Sequence, residues 1–176
     1  MIFPAQTSRL VLRAWREDDF DAFAAMNADP RVMEYFPAPL TREESAAFFG
    51  HIREEFQTEG FGLYAVERIS DGSQLGYTGL HRVTFDGLCG QIEIGWRLRA
   101  DAWGNGYAPE AAQACLALAA KLGIEEVIAF TAVANLRSQR VMQKIGMECV
   151  AQFNHPTLPE GHPLRRHVLY WIGIKG

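Results

Sequence analysis

A chain of 176 residues, 48% apolar and 22% charged, has the size and composition of one soluble globular domain, residues 1–176, with a substantial core. A net charge of −4 removes the electrostatic case for binding nucleic acid or an anionic membrane, and no apolar stretch reaches membrane-spanning length. Cys89, Cys115 and Cys149 lack metal-ligand spacing and read as reduced thiols, and the N-terminal MIFPAQTSRL has no charged start and apolar run; together these point to the cytoplasm.

Arg9–Trp15 (RLVLRAW) reads as the first strand. Asp18 or Asp19 can cap a helix carrying Phe20, Phe23, Ala24 and Asn27. Three prolines, Pro30, Pro37 and Pro39, break the segment from Asp29 to Pro39 into loop or short turns. Thr41 with Glu44 forms a capping box for a second helix, whose buried stripe is predicted as Ala47, Phe48, Ile52 and Phe56. Phe61–Ile69 and Gln74–Phe85 flank Ser70-Asp71-Gly72-Ser73, a hairpin signal.

Alternation predicts a strand from Ile92 to Arg99, with Ile92, Ile94, Trp96 and Leu98 on one face and Glu93, Gly95, Arg97 and Arg99 on the other. A turn, Trp103-Gly104-Asn105-Gly106-Tyr107-Ala108, then feeds a helix in which Pro109 occupies the first turn. That helix runs to Gly123 with Ala111, Cys115, Leu118 and Leu122 on one stripe. Glu126–Val133 is the next strand, Leu136–Ile145 a short helix stopped by Gly146, and two strands follow near 147–153 and 166–172.

A glycine turn opening a helix gathers free N–H groups and a positive dipole end at one point, which binds phosphate. Pro109 stands where a dinucleotide fingerprint needs its third glycine, and no Gly-Lys-Ser/Thr occurs anywhere in the chain.

The turn resembles the acyl-coenzyme-A signature of the GNAT N-acetyltransferases, which is Arg or Gln, then x-x-Gly-x-Gly/Ala, just after a strand. Gly106, Tyr107 and Ala108 fit it, while Trp103 stands in place of Arg or Gln. The W-G-x-G-Y-A spelling is similar to the branch that acetylates ribosomal-protein N-termini and various small amines. NADPRVMEY (27–35), GYTGL (76–80) and EIGW (93–96) match that branch's recurring phrases, in order and at compatible spacing. Asn135 to Ser138, with Lys144-Ile145-Gly146-Met147, is similar to the family's N-x-x-S/A…K-x-G-F element. The resemblance covers nearly the whole chain. It implies an α/β (α+β) fold of the GNAT acyl-CoA N-acyltransferase type: a mixed, mostly antiparallel six- to seven-stranded sheet flanked by about four helices. The element order read from periodicity coincides with it.

The resemblance implies acetyl-CoA as cosubstrate, no metal, and a primary-amine acceptor, either a protein N-terminus or a small molecule. It implies that the backbone around Trp96, Arg97 and Leu98 pairs with the pantetheine arm, that Trp103, Gly104, Asn105, Gly106, Tyr107 and Ala108 cradle the pyrophosphate, and that Asn135 contacts the cofactor. Asn135 is equally a helix N-cap. Many members place a tyrosine at Met142 to protonate the departing thiolate; here Ser138 is the candidate. Tyr35 and Phe36 are candidate walls of the acceptor pocket.

An amine is protonated at neutral pH, so a base must take its proton before attack. Glu93 is the first candidate and His81, on the preceding strand, the second. Both are open to a structural reading, Glu93 as a solvated carboxylate or arginine partner and His81 as a hydrogen-bonded strand residue. His155, His162 and His167 lie in NHPTLPEGHPLRRH and match no zinc spacing; the segment is predicted to be a proline-stiffened loop closing over the acceptor pocket, with Arg165 and Arg166 beginning the last strand. A non-catalytic acetyl-CoA-binding sensor is the alternative of a different class, and both monomer and homodimer stay open.

Overall fold

The computed structural model describes residues 5–174, so the first four residues of the N-terminal stretch read for a leader lie outside the described residues. One sheet of eight strands runs in the order β1-β2-β3-β4-β5-β6-β8-β7. Its strands are β1 (Ala5–Gln6), β2 (Leu10–Arg13), β3 (Leu63–Arg68), β4 (Gln74–Arg82), β5 (Ile92–Leu98), β6 (Glu126–Ala132), β7 (Glu148–Asn154) and β8 (Arg166–Gly173). Every neighbouring pair is antiparallel except β5 with β6. The strand beyond the expected six or seven is β1, two residues too short to carry a period.

Four α-helices flank the sheet: α1 (Phe20–Ala28), α2 (Arg42–Thr58), α3 (Tyr107–Lys121) and α4 (Leu136–Lys144). The register of β4 with β5 fixes which helix lies on which face. Tyr77 pairs with Arg97 and packs against Phe23 of α1 and Phe48 of α2, with ring centroids 6.3 and 5.9 Å away. Thr78 pairs with Trp96 and meets Cys115 of α3. Glu93, Gly95 and Arg97 therefore face α1 and α2, and Ile94, Trp96 and Leu98 face α3. On that second side the small residues Ala111, Ala112, Cys115 and Ala119 are buried and let α3 lie close to the strands.

The capping box forms as expected: the Glu44 N–H donates to Thr41 Oγ1 at 3.1 Å, and the Thr41 N–H donates to Glu44 Oε2 at 2.7 Å. The stripe of α2 is different from the expected one. Ser45, Phe49, Ile52 and Phe56 are buried, at spacings of four, three and four, whereas Ala47 is exposed and Phe48 half-buried. Phe49 sits in a ring cluster with Trp15 and Phe23, and burying a ring this completely stabilises by about 1.5–3 kcal/mol.

Asp19 does not cap α1 through its side chain. Its carboxylate instead accepts the Arg13 guanidinium with two bonds of 2.7 Å and the Arg16 N–H at 2.7 Å, because a buried charge is tolerated only when paired.

Candidate active site

β5 and β6 share one bridge, Glu93 with Ile128, and beyond it β5 pairs only with β4. The two strands part toward their C-terminal ends and open a cavity of about 1200 Å³. The glycine turn and the start of α4 line one end of the cavity. The face of α2 around His51 and the loops at Tyr35–Pro37 and His155–Leu158 line the cavity as well.

At the turn, Gly104 and Gly106 have φ of +77° and +76°, a left-handed conformation that a side chain strains. Gly106 caps α3, so the first-turn N–H groups of Tyr107 and Ala108 lack helical partners, and both residues line the cavity. Trp103 ties the turn back to β5, its indole N–H donating to the Leu98 carbonyl at 3.0 Å. The Asn105 side chain turns inward, donating to the carbonyls of Ala102 and Trp103 at 3.2 and 3.0 Å, and it does not line the cavity.

Arg9 staples the turn from outside, donating to the Asn105 carbonyl at 2.9 Å and to Glu110 Oε2 at 2.7 Å, with its guanidinium 4.7 Å from the centre of the Tyr107 ring. Glu110 would repel phosphate at a helix start; Arg9 engages that charge. Because Arg9 is partly exposed, Arg9→Ala is expected to weaken coenzyme A binding by only about fivefold, read by calorimetric titration.

The polar face of β5 is not solvated. Glu93 and Arg97 are each only 8% exposed, because α1, α2 and the loop between them cover it. Glu93 Oε2 lies 2.7 Å from His81 Nε2, directly opposite across β4 and β5. Burial pushes the His81 pKa down, but the hydrogen bond and charge of Glu93, aided by Glu55, outweigh it and hold it above the ordinary value. Burial likewise raises Glu55. Glu93 and His81 thus meet at the cavity wall, where the two together are able to take up a proton.

Residues 9–148 match the family described as the acetyltransferase (GNAT) domain. The chain belongs to the GNAT acetyltransferase family. It is 31% identical over 159 residues to the uncharacterised N-acetyltransferase YnaD of Bacillus subtilis, covering 89% of this chain and 88% of that one. A GNAT-family acetyltransferase from Bacillus anthracis superposes with a TM-score of 0.80 at 28% identity, covering 97% of this chain and 98% of that one. RimL, a ribosomal L7/L12 N-acetyltransferase solved with coenzyme A, shares the fold with a TM-score of 0.80 at 16% identity and 98% coverage of both chains. The protein is thus an acetyl-CoA-dependent N-acetyltransferase of GNAT fold.

The residues of this acetyltransferase fit acetyl-CoA. The widening gap between β5 and β6 leaves the β5 edge free for an extended arm, and the first-turn N–H groups of α3 suit a pyrophosphate. Among the described residues no group of three or more His, Cys, Asp or Glu could hold a metal ion, and no helix is long and apolar enough to cross a membrane.

Trp96, Leu98, Trp103, Gly104, Gly106, Tyr107, Ala108, Asn135, Ser138, Tyr35 and Phe36 all line the cavity with Glu93 and His81. Asn135 caps α4, its Oδ1 accepting from the Ser138 N–H at 3.2 Å while its Nδ2 donates to Thr131 at 3.0 Å. Arg97 lines the cavity too, but its guanidinium turns to Asn27 rather than to the turn, donating to Oδ1 at 2.7 Å. The His155 end of the last loop lines the cavity, whereas the His162 ring only accepts from the Leu164 N–H at 3.1 Å.

Sequence reasoning missed the lining cations Arg137, Arg140 and Lys144, although their spacing of three and four along α4 puts them on one helical face. Arg137 stacks over the Trp103 ring at 4.1 Å and pairs with Glu34 at 2.7 Å, so a cation stands at the turn although Trp103 is not one. His51, Glu54, Glu55 and Glu59 were missed as well; their spacings of three and four along α2 and its C-cap were the available signal.

Proposed function

We propose that this acetyltransferase transfers an acetyl group from acetyl-CoA to a primary amine by direct attack in a ternary complex, with residues 1–176 acting as one catalytic domain in the cytoplasm. The observation that carries the reading is the pairing of buried Glu93 with half-buried His81, 2.7 Å apart, in a cavity that continues to the glycine turn.

Acetyl-CoA supplies an activated acetyl thioester. The Glu93–His81 pair takes the ammonium proton and frees the nitrogen lone pair, so that the N–C bond forms as the C–S bond breaks. A backbone N–H of β5, at Trp96 or Leu98, steadies the thioester oxygen as it gains charge; one such donor is worth about 3 kcal/mol. Ser138, at the first turn of α4, relays a proton to the departing thiolate and regains it from the second proton that the nitrogen loses as it becomes an amide. Trp103, Gly104, Gly106, Tyr107, Ala108 and Asn135 hold the cofactor, Asn105 only shapes the turn, and Tyr35 and Phe36 wall the acceptor. Burial pushes the Cys115 thiol up to about 12, which keeps it protonated and removes it as a nucleophile for an acetyl-enzyme route.

Likeness to RimL supports protein N-termini among the acceptors, and the variable loops around the cavity support small amines. A thiol-release assay with acetyl-CoA against panels of small amines and N-terminal peptides tests the reading. One thiol released per amine acetylated is the expected result. Tight acetyl-CoA binding with no transfer to any amine would favour the sensor reading, which Met142 and Trp103 keep in play.

A further inference from the structure

Two arginines are buried on the α1 and α2 side of the sheet, and they are treated differently. Arg13, 9% exposed, meets Asp19 at 2.7 Å and Glu67 at 2.6 Å. Arg97, 8% exposed, makes no ion pair with any carboxylate among the described residues. Its one protein acceptor there is Asn27 Oδ1, and its Nε–H has no hydrogen-bond partner. The rings of Phe36, Tyr77 and Phe48 lie 4.2, 5.4 and 5.8 Å from the guanidinium carbon. Ring faces attract a cation but accept no N–H in the guanidinium plane. A buried charge is ordinarily paired with an opposite one, so the spare donors of this guanidinium suit an anion.

Place in the fold shows which molecule would carry the anion. Arg97 and Glu93 share the α1 and α2 face of β5 and line the same cavity, with Gly95 between them. A Cβ on Gly95 would meet no atom within 4 Å, so the floor between the two side chains is open. Four residues of strand separate their Cα atoms by ~13 Å. The pyrophosphate turn opens α3, which packs on the other face. Resting on the transferase reading above, we infer that Arg97 seats an anionic group, a carboxylate or phosphate, carried by the acceptor several bonds from its reactive amine. The ammonium end goes to Glu93 and His81 and the anionic end to Arg97, under the Phe36 ring. A guanidinium fork suits either anion.

The test compares 4-aminobutyrate, 6-aminohexanoate and 2-aminoethyl phosphate with n-butylamine and 1,4-diaminobutane. Turnover is followed by thiol release, and equilibrium binding is measured on enzyme saturated with coenzyme A. At least one anionic amine is expected to exceed n-butylamine by about tenfold or more in kcat/KM and in affinity, and which one does so distinguishes carboxylate from phosphate. Asn27→Asp gives Arg97 an internal carboxylate without changing side-chain size. It should abolish that preference while melting no lower than the parent, an outcome that a purely structural Arg97 would not produce. Arg97→Met should abolish the preference as well, with coenzyme A affinity in the same sample reporting that the fold survives. Equal handling of anionic and neutral amines by the unaltered enzyme, or a preference unmoved by Asn27→Asp, overturns the inference and leaves the transferase reading standing. Selective binding of anionic amines with no acetyl transfer to any of them overturns the transferase reading instead.

Discussion

Glu93→Gln is expected to lower kcat by roughly 10²-fold or more while changing coenzyme A affinity little, because a positioned general base contributes about that much to proton removal. The substitution keeps size and removes charge, and the affected groups lie on the α1 and α2 face, away from α3. The pH profile carries the sharper signature. His81 is held above its ordinary value by Glu93, so the pair binds its extra proton at a pH above about 6.5 and cannot accept another below it. Activity should therefore be present above that limb and lost as pH falls through it. In the variant the carboxylate charge is gone and burial, which opposes protonation, dominates His81. The acid limb should then move to lower pH even as the plateau drops. An unchanged kcat removes Glu93 from the chemistry, and a lowered plateau with an unmoved limb detaches His81 from it.

Much of the fold was legible because local chemistry dictated it. The Thr41–Glu44 capping box, the Ser70–Ser73 hairpin and the alternation from Ile92 to Arg99 each commit a short segment without help from its neighbours. The glycine turn was legible for the same reason: a left-handed backbone at Gly104 and Gly106 leaves a mark in the residue type itself. What was not legible depended on which layers cover which face. A period of two separates Glu93 and Arg97 from Ile94 and Trp96, but it does not say that α1 and α2 come back over the polar side. Nor does it say that Arg97 ends beside Asn27, 70 residues away in sequence. The helical period of α2 admitted a stripe through Phe48 or through Phe49. The choice fell to Trp15 and Phe23, which draw Phe49 into the core and leave Phe48 facing Tyr77 and the cavity. Asp19 had the residue type of a helix cap, and only the buried Arg13 guanidinium decided its role.

Gly106→Val is expected to weaken coenzyme A binding by about 10²-fold, since a β-branched residue strained at positive φ costs on the order of 1–3 kcal/mol and its relief must reshape the turn. The space around Gly106 is not what forbids the side chain: a Cβ there would lie 3.6 Å from Arg9 Nη2, an ordinary contact. The loss comes from the backbone. Moving φ away from +76° re-aims the N–H groups of Tyr107 and Ala108 that open α3, and a valine isopropyl group projects beside the path a pyrophosphate would take. Gly106→Asn separates these two causes. Asparagine tolerates the left-handed region, so it keeps the turn's conformation while adding a side chain. If backbone geometry dominates, the asparagine variant should bind coenzyme A far better than the valine variant, as calorimetric titration would show. If occupied space dominates, both should bind equally poorly. Unimpaired binding by Gly106→Val would contradict the placement of the pyrophosphate at this turn, because the one conformation that only glycine adopts freely would then have no bearing on the cofactor.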